Sequence, residues 1–156
     1  MPHTSSSARE ASIQWSATAE APTSAVPLSN GAAAYGYLLE FAALRDPREH
    51  FYVIALDTRR KPVGYYLLSI GSANQCLVHP ADVFRFALLS CAVSIILAHT
   101  HPSGDVVPSI DDEMLTARIA AAGHLLGIPV DDHIVLGCNT DKFTSLRSTS
   151  PQFFRS

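Results

Sequence analysis

Two histidines stand one residue apart in AHTHPSGDVVPSIDDE, the stretch that runs from residue 98 to 113. Alternate side chains of an extended segment point to the same face, so His99 and His101 can present both imidazoles to one point. Pro102 and Gly104 then turn the chain, and acidic residues follow. Imidazole nitrogens and carboxylate oxygens are common ligands of Zn²⁺. The spacing therefore indicates a metal site.

The acidic residues that open the next element, Asp111, Asp112 and Glu113, each offer a third ligand, and spacing alone does not choose among them. Two neutral histidines and one carboxylate leave the fourth tetrahedral position to water, which is the composition of a catalytic zinc site. A local interpretation competes with this one. Ser109 and Asp112 form an S-x-x-D pattern close to a capping box, which would explain both residues as helix-start chemistry.

The elements predicted around this stretch place it at the end of a buried strand. VSIILA, residues 93–98, is short, rich in β-branched residues and apolar apart from Ser94, as expected of a central strand covered on both faces. The helix that begins after Ser109 carries an apolar face and stops at Gly127. The other elements are predicted at 31–45 and 80–92 for helices, and at 49–57, 63–71, 76–79 and 128–137 for strands.

Strands mixed with three helices indicate an α/β fold, a single-domain α/β/α sandwich around a mixed sheet. A chain of 156 residues, 47% of them hydrophobic, suits one ordinary domain. Residues 1–30 are dominated by Ser, Thr, Ala and Pro, so we expect them to form a disordered tail, with Trp15 as a candidate docking residue. Residues 31–156 are expected to form the domain.

Charge and composition restrict the partners. The net charge of -3 provides no basic stripe for phosphates, so nucleic acid is a possible partner that charge does not support. Neither a signal peptide nor an apolar run of membrane-spanning length is visible, which predicts a cytoplasmic protein with no membrane partner. Cys76, Cys91 and Cys138 are widely spaced in apolar surroundings and are predicted to be reduced core residues.

The motif HTHPSGDVVPSIDD resembles the JAMM signature of JAB/MPN zinc metalloproteases: two histidines one residue apart, seven residues, a serine, two residues and an aspartate. With VHPADVFRFAL before it and LLGIPVDDHIVLG after it, the chain looks like the RadC-type bacterial branch over about residues 40–145. The resemblance implies that His99, His101 and Asp112 bind zinc. It thereby favours Asp112 over Asp111 and Glu113.

The same resemblance implies two catalytic residues. Members of the family carry a glutamate on an early strand, and REHFYVIALD aligns with that strand, so Glu49 is the matching residue. Glu40 and Asp46 suit the role less, because one belongs to a predicted helix and the other precedes a proline turn. Glu49 would act as general base and then acid, and Ser109 would donate a hydrogen bond to the oxyanion. The implied reaction is hydrolysis of a peptide or isopeptide bond in a peptide or protein substrate.

The chain departs from the RadC-type pattern at Thr100, where members commonly carry Asn; its side chain is expected to point away from the metal. Many relatives have a longer N-terminal portion with helix-hairpin-helix character, and a DNA-binding role of that portion does not transfer. Two rival functions remain open, a non-catalytic MPN interaction module and a DNA-repair accessory or nuclease. A zinc nucleobase deaminase is excluded because its H-x-E and PCxxC motifs do not occur.

The chain has further histidines outside the motif. Asp132 and His133 form a polar pair among apolar residues, and two interpretations stay open: support for a ligand imidazole, or a strand-end hydrogen-bonding pair. His50, His79 and His124, together with His3, are predicted to be surface or capping residues.

Overall fold

The computed structural model describes residue 24 and residues 26–71 and 78–154 of the chain. Four helices, five strands and one 3-10 helix follow one another in these ranges. In chain order they are α1 (Gly31–Leu38), β1 (Glu49–Leu56), β2 (Pro62–Gly71), α2 (Pro80–Leu89), β3 (Ser94–His101), α3 (Ile110–Leu126), β4 (Val130–Gly137), β5 (Phe143–Ser145), α4 (Leu146–Thr149) and the 3-10 helix Pro151–Phe154.

The five strands form one sheet in the order β2-β1-β3-β4-β5. Strands β3 and β4 are parallel, whereas the other neighbouring pairs are antiparallel. The sheet is therefore mixed, as predicted. Because β3 has a neighbour on each side and is buried along its length, its carboxyl end is a rigid support for whatever side chains it carries.

Helices cover both faces of the sheet. On one face, side chains of α2 and α3 pack against Phe51, Val53 and Leu97. On the other face, α1 packs against the alternate residues of the same strands, including Tyr52 and Ile96. The alternation arises because successive side chains of a strand point to opposite faces. The predicted α/β/α sandwich is confirmed.

Helix α1 is shorter than predicted, since it ends at Leu38 and not near Arg45. Contacts with β1 explain the early end. The backbone N–H of Ala43 donates to the Tyr52 hydroxyl at 3.0 Å, and the Phe41 ring meets the Tyr52 ring edge-on at 5.6 Å. These contacts turn the chain toward β1, so tertiary packing overrides the helical spacing of the sequence.

The remaining differences are local. The described part of the strand predicted at 76–79, residues 78 and 79, is not extended sheet, and the short β5 and α4 were not predicted. Cys138 is buried and free, as expected, but Cys91 is exposed. It lies in the turn after α2 with φ 51°, so the prediction that it belongs to the core is wrong. Trp15 and Cys76 lie outside the described residues.

The start of the domain can be followed to Leu28, which is buried against the α1 side of the sheet. Its backbone N–H donates to the carbonyl of Arg60 at 2.9 Å. The predicted boundary at residue 30 stays a prediction, because residues 1–23 lie outside the described ranges. Among the helices of those ranges, none has the length and apolar character to cross a bilayer.

Candidate metal centre

The three predicted ligands lie together where β3 ends and α3 begins. The Nε2 atoms of His99 and His101 are 2.9 Å apart. Asp112 places Oδ1 3.3 Å from Nε2 of His99 and Oδ2 3.5 Å from Nε2 of His101. The three residues thus direct their ligand atoms to one point, all within 4.8 Å of one another. Asp111, the neighbouring candidate, is exposed.

The turn between strand and helix is held by the backbone. Gly104 donates its N–H to the carbonyl of His101 at 3.0 Å and adopts φ 78°, a conformation that favours glycine. A Cβ atom at this position would lie 3.1 Å from the carbonyl oxygen of Cys138. Glycine therefore lets the loop pass close to the end of β4. This path places the start of α3 beside the two histidines.

His101 owes the orientation of its ring to this loop. Its Nδ1 lies 2.8 Å from the backbone carbonyl oxygen of Asp105. A carbonyl can only accept, so Nδ1 carries the proton and donates it. In the neutral ring, Nε2 then bears the lone pair and faces Asp112 and His99. This is the form of histidine that binds a metal through Nε2.

His99 is held from the interior of the protein. Its Nδ1 lies 2.8 Å from Nε2 of His133, a side chain with no exposed surface. Nδ1 of His133 lies 2.6 Å from the hydroxyl of Thr116, and that hydroxyl donates to the backbone carbonyl of Asp112 at 2.6 Å. Burial, the largest cause, lowers the pKa of His133 well below its ordinary value.

Asp132 and His133, the polar pair on β4, have different roles: one fits the functional interpretation and the other the structural one. His133 contacts a candidate ligand imidazole, as the functional interpretation predicted. Asp132 faces the other side of the sheet and accepts from the hydroxyl of Ser145 at 2.7 Å and from the N–H of Arg147 at 3.0 Å. It therefore fits the structural interpretation. Adjacent side chains of a strand point to opposite faces, so the two side chains serve different sites, although Asp132 also accepts from the backbone N–H of His133 at 2.7 Å.

The donor set fits a divalent cation such as zinc. In a tetrahedral site with bonds of about 2.0–2.1 Å, ligand atoms lie about 3.3–3.4 Å apart. The two nitrogens are 2.9 Å apart, and different oxygens of Asp112 lie 3.3 Å from His99 and 3.5 Å from His101, so both carboxylate oxygens lie near the position that an ion would occupy. Two imidazole lone pairs 2.9 Å apart repel each other unless positive charge lies between them. The arrangement can therefore hold a metal ion with two nitrogen ligands and one oxygen ligand.

The pKa values of His101 and Asp112 are shifted in directions that favour positive charge beside the carboxylate. A hydrogen bond to Asp112 is the largest cause that raises the pKa of His101 above its ordinary value. Burial raises the pKa of Asp112, but hydrogen bonds from His101 and His99 outweigh burial and hold that pKa well below its usual range. A cation bound between the three side chains would likewise stabilise the charged carboxylate.

Glu49 lies at the first position of β1, beside the cluster. Antiparallel pairing sets Phe51 opposite His99, so the same register places Glu49 toward His101 on the same face of the sheet. Burial is the largest cause that raises its pKa; the two histidines lower it and Asp112 raises it. The electrostatic influence of all three ligands on this carboxyl group agrees with its predicted position. Its role as the base stays a prediction.

The surroundings of the two rival carboxylates differ from those of Glu49. Glu40 is exposed in the turn after α1. Asp46 accepts from the backbone N–H of Arg48 at 2.9 Å and from its guanidinium at 2.7 Å. These bonds, the side-chain one first, hold the pKa of Asp46 well below its usual range.

Ser109 forms the capping box that the local interpretation predicted. Its Oγ accepts from the N–H of Asp112 at 3.1 Å, and its own N–H donates to Oδ2 of Asp112 at 2.7 Å. The hydroxyl also lies 2.7 Å from that Oδ2, to which it donates its single hydrogen. The cap and the ligand therefore share one carboxylate. A catalytic role of Ser109 stays a prediction.

Thr100 points away from the cluster, as expected. Its side chain is buried on the α1 side of the sheet and accepts from the N–H of His50 at 3.0 Å. His50 is buried too, so the prediction of a surface or capping role is wrong for it. Its ring lies in β1, stacked near Tyr52 at 6.2 Å. His79 and His124 are exposed, and His3 lies outside the described residues.

Sequence reasoning missed Thr116, the residue that links α3 to His133. A usable signal was present, because residues four apart on a helix share a face and Thr116 follows Asp112 by four. The sequence did not predict the parallel register of β3 and β4, which places His133 beside Leu97.

Comparisons with known proteins place the chain in a family. The family described as RadC-like JAB domain matches residues 28–151. A "UPF0758 protein" of Desulforamulus reducens is 47% identical over 106 residues, covering 67% of this chain and 46% of that protein. Its namesake from Moorella thermoacetica is 45% identical over 112 residues, covering 72% of this chain and 48% of that protein. The chain spans about half the length of these curated relatives.

Proposed function

The chain belongs to the RadC-like JAB domain family, and on that basis we propose that it is a zinc-dependent hydrolase that cleaves a peptide or isopeptide bond in a peptide or protein substrate. One observation carries the proposal: Nε2 of His99, Nε2 of His101 and the carboxylate of Asp112 converge on one point. Three protein ligands leave a fourth tetrahedral position for water or substrate.

The chemistry divides between the cation and the chain. When bound, zinc supplies a Lewis acid that makes water more acidic and polarises a carbonyl group. Glu49 accepts the proton of the attacking water and returns it to the leaving nitrogen, as a general base and then an acid. Its partial burial, which raises the pKa of the carboxyl group, favours this exchange because it brings the pKa closer to neutral pH.

Ser109 has two tasks in the proposed site. In the ground state its hydroxyl donates to Oδ2 of Asp112, which holds that carboxylate toward His101. During hydrolysis the hydroxyl would rotate and donate to the oxyanion that forms at the substrate carbonyl. The N–H of Ser109 keeps its own bond to Asp112 during that rotation, so the ligand stays in place.

The test begins with Glu49→Gln, which keeps the shape of the side chain but cannot accept a proton. We expect about one zinc per chain by elemental analysis in both proteins, and hydrolysis lowered by about 10² to 10⁴ in the variant. The matched control is Glu40→Gln, which changes an exposed glutamate beyond α1 and should leave the rate unchanged.

The substrates should be a peptide library and an isopeptide library, with single-stranded and duplex DNA in parallel. Cleavage of amides by the parental protein and not by Glu49→Gln supports the proposal. Cleavage of DNA alone would replace the protease with a nuclease, and zinc binding without hydrolysis of any substrate would replace it with an interaction module. Equal amide hydrolysis by both proteins would remove Glu49 from the mechanism.

A further inference from the structure

A chain of hydrogen bonds runs from the first turn of α3 to the buried side of the metal centre. The hydroxyl of Thr116 lies 2.6 Å from the backbone carbonyl oxygen of Asp112 and 2.6 Å from Nδ1 of His133. Nε2 of His133 lies 2.8 Å from Nδ1 of His99. Thr116 and His133 are fully buried, so water does not supply alternative partners.

Counting hydrogens gives the direction of every bond in the chain. A carbonyl carries no hydrogen, so the 2.6 Å contact between two oxygens requires that Thr116 donate to Asp112. A hydroxyl has one hydrogen, and Thr116 must therefore accept from Nδ1–H of His133. A neutral imidazole has one ring proton, which leaves Nε2 of His133 as an acceptor. Nδ1 of His99 must then be the donor.

We propose that Thr116 and His133 are positioning residues that hold His99 in the tautomer whose Nε2 can bind the metal. The inference rests on the proposed metal site, and it adds two residues that do not touch the ion. His99 with its proton on Nδ1 directs a lone pair toward Asp112 and His101. The other tautomer would direct a hydrogen there and exclude the ion.

Removal of one hydroxyl should reverse the whole chain. Without an acceptor at Thr116, a proton on Nδ1 of His133 would be buried and unpaired, which costs free energy. The proton would move to Nε2, where His99 can accept it through Nδ1. His99 would then carry its own proton on Nε2. One substitution in α3 thus changes the tautomers of both rings.

The experiment compares Thr116→Val, which keeps the shape of the side chain and removes the hydroxyl, with Thr116→Ser, which keeps the hydroxyl. Zinc affinity is measured by competition with a chromophoric chelator, and the ring tautomers of the metal-free proteins by ¹⁵N NMR. We expect Thr116→Val to bind zinc about 10- to 100-fold more weakly and Thr116→Ser to match the parent. Nδ1 of His99 should be protonated in the parent and unprotonated in Thr116→Val.

A second pair of variants covers the case in which Thr116→Val does not fold. His133→Gln keeps an acceptor for His99 and a donor for Thr116, whereas His133→Leu keeps neither. Zinc affinity close to the parental value in His133→Gln, with a loss of about 10- to 100-fold in His133→Leu, supports the inference. Circular dichroism of each variant establishes that the change in affinity is measured on folded protein.

Two results would overturn the inference: an unprotonated Nδ1 of His99 in the parental protein, or equal zinc affinity in Thr116→Val and Thr116→Ser. Neither result depends on hydrolysis. A parental protein that binds zinc and cleaves nothing would remove the proposed function while the contrast between the Thr116 variants still decides the inference.

Discussion

The two sides of the candidate metal centre hold their histidines by different means. His99 is fixed from the core by His133 and Thr116, which have no exposed surface. His101 is fixed from the loop by the backbone carbonyl of the exposed residue Asp105. The buried side depends on side chains whose identity matters, whereas the loop side depends on a backbone shape. Substitutions should therefore act differently on the two sides.

The largest effect, a loss of bound zinc, is expected at Asp112, which faces both histidines. Asp112→Ala removes the carboxylate that faces both imidazoles and also one half of the capping box of α3. Zinc measured by elemental analysis should fall from about one per chain to almost none. Asp111→Ala, one residue earlier and exposed, is the matched control and should keep its zinc. Full occupancy in Asp112→Ala would remove this residue from the ligand set.

The next largest effect is expected for the stability of the buried side, at Phe51. The Phe51 ring stacks parallel to His99 at 6.2 Å and meets His133 edge-on at 5.6 Å. Phe51→Ala should lower the free energy of unfolding by about 3–5 kcal/mol, because a large buried side chain leaves a cavity. Val107→Ala in the exposed loop should change it by less than about 0.5 kcal/mol. Denaturant unfolding of both variants measures the contrast, which similar losses would contradict.

A smaller effect is expected from the backbone of the loop. Gly104→Ala places a side chain at φ 78° and a Cβ atom 3.1 Å from the carbonyl oxygen of Cys138. The strain should cost about 1–3 kcal/mol in unfolding experiments and weaken zinc binding, since the turn that positions Asp105 must shift. Gly36→Ala is the control, because its Cβ would meet no atom within 4 Å. Equal stability and affinity in both variants would show that the loop adjusts freely.

The smallest effect is a pH dependence of the metal-free protein, in which the two sides act in opposite directions. A hydrogen bond to Asp112 raises the pKa of His101 above 6.5, so its contribution to stability is complete below pH 6.5 and is lost as the pH rises through the folded value. Burial lowers the pKa of His133, so its contribution is present above pH 6.5 and is lost as the pH falls below it.

NMR titration of the histidine rings separates these contributions. The His101 signals should move at a pH above 6.5, whereas the His133 signals should stay constant through that region. A His133 ring that titrates near 6.5 would contradict its description as a buried neutral group.

The candidate ligands could be predicted from the sequence, whereas most of the residues that orient them could not. Alternation along a strand was enough to place His99 and His101 together, and the family resemblance selected Asp112. The hydrogen bonds from Thr116 through His133 to His99 could not be predicted in the same way. They depend on the register between β3 and β4, which are separated by α3. The same limit explains the early end of α1, where contacts with Tyr52 outweigh local spacing.

The shared carboxylate of Asp112 ties a folding equilibrium to a binding equilibrium. The oxygen that accepts from Ser109 and starts α3 is also the oxygen that faces His101. An ion that binds the folded chain alone stabilises it by about 1.4 kcal/mol for each tenfold excess over its dissociation constant. The melting temperature of the protein should therefore rise with the concentration of free zinc. A chelator should first loosen the amino end of α3, before the sheet is affected.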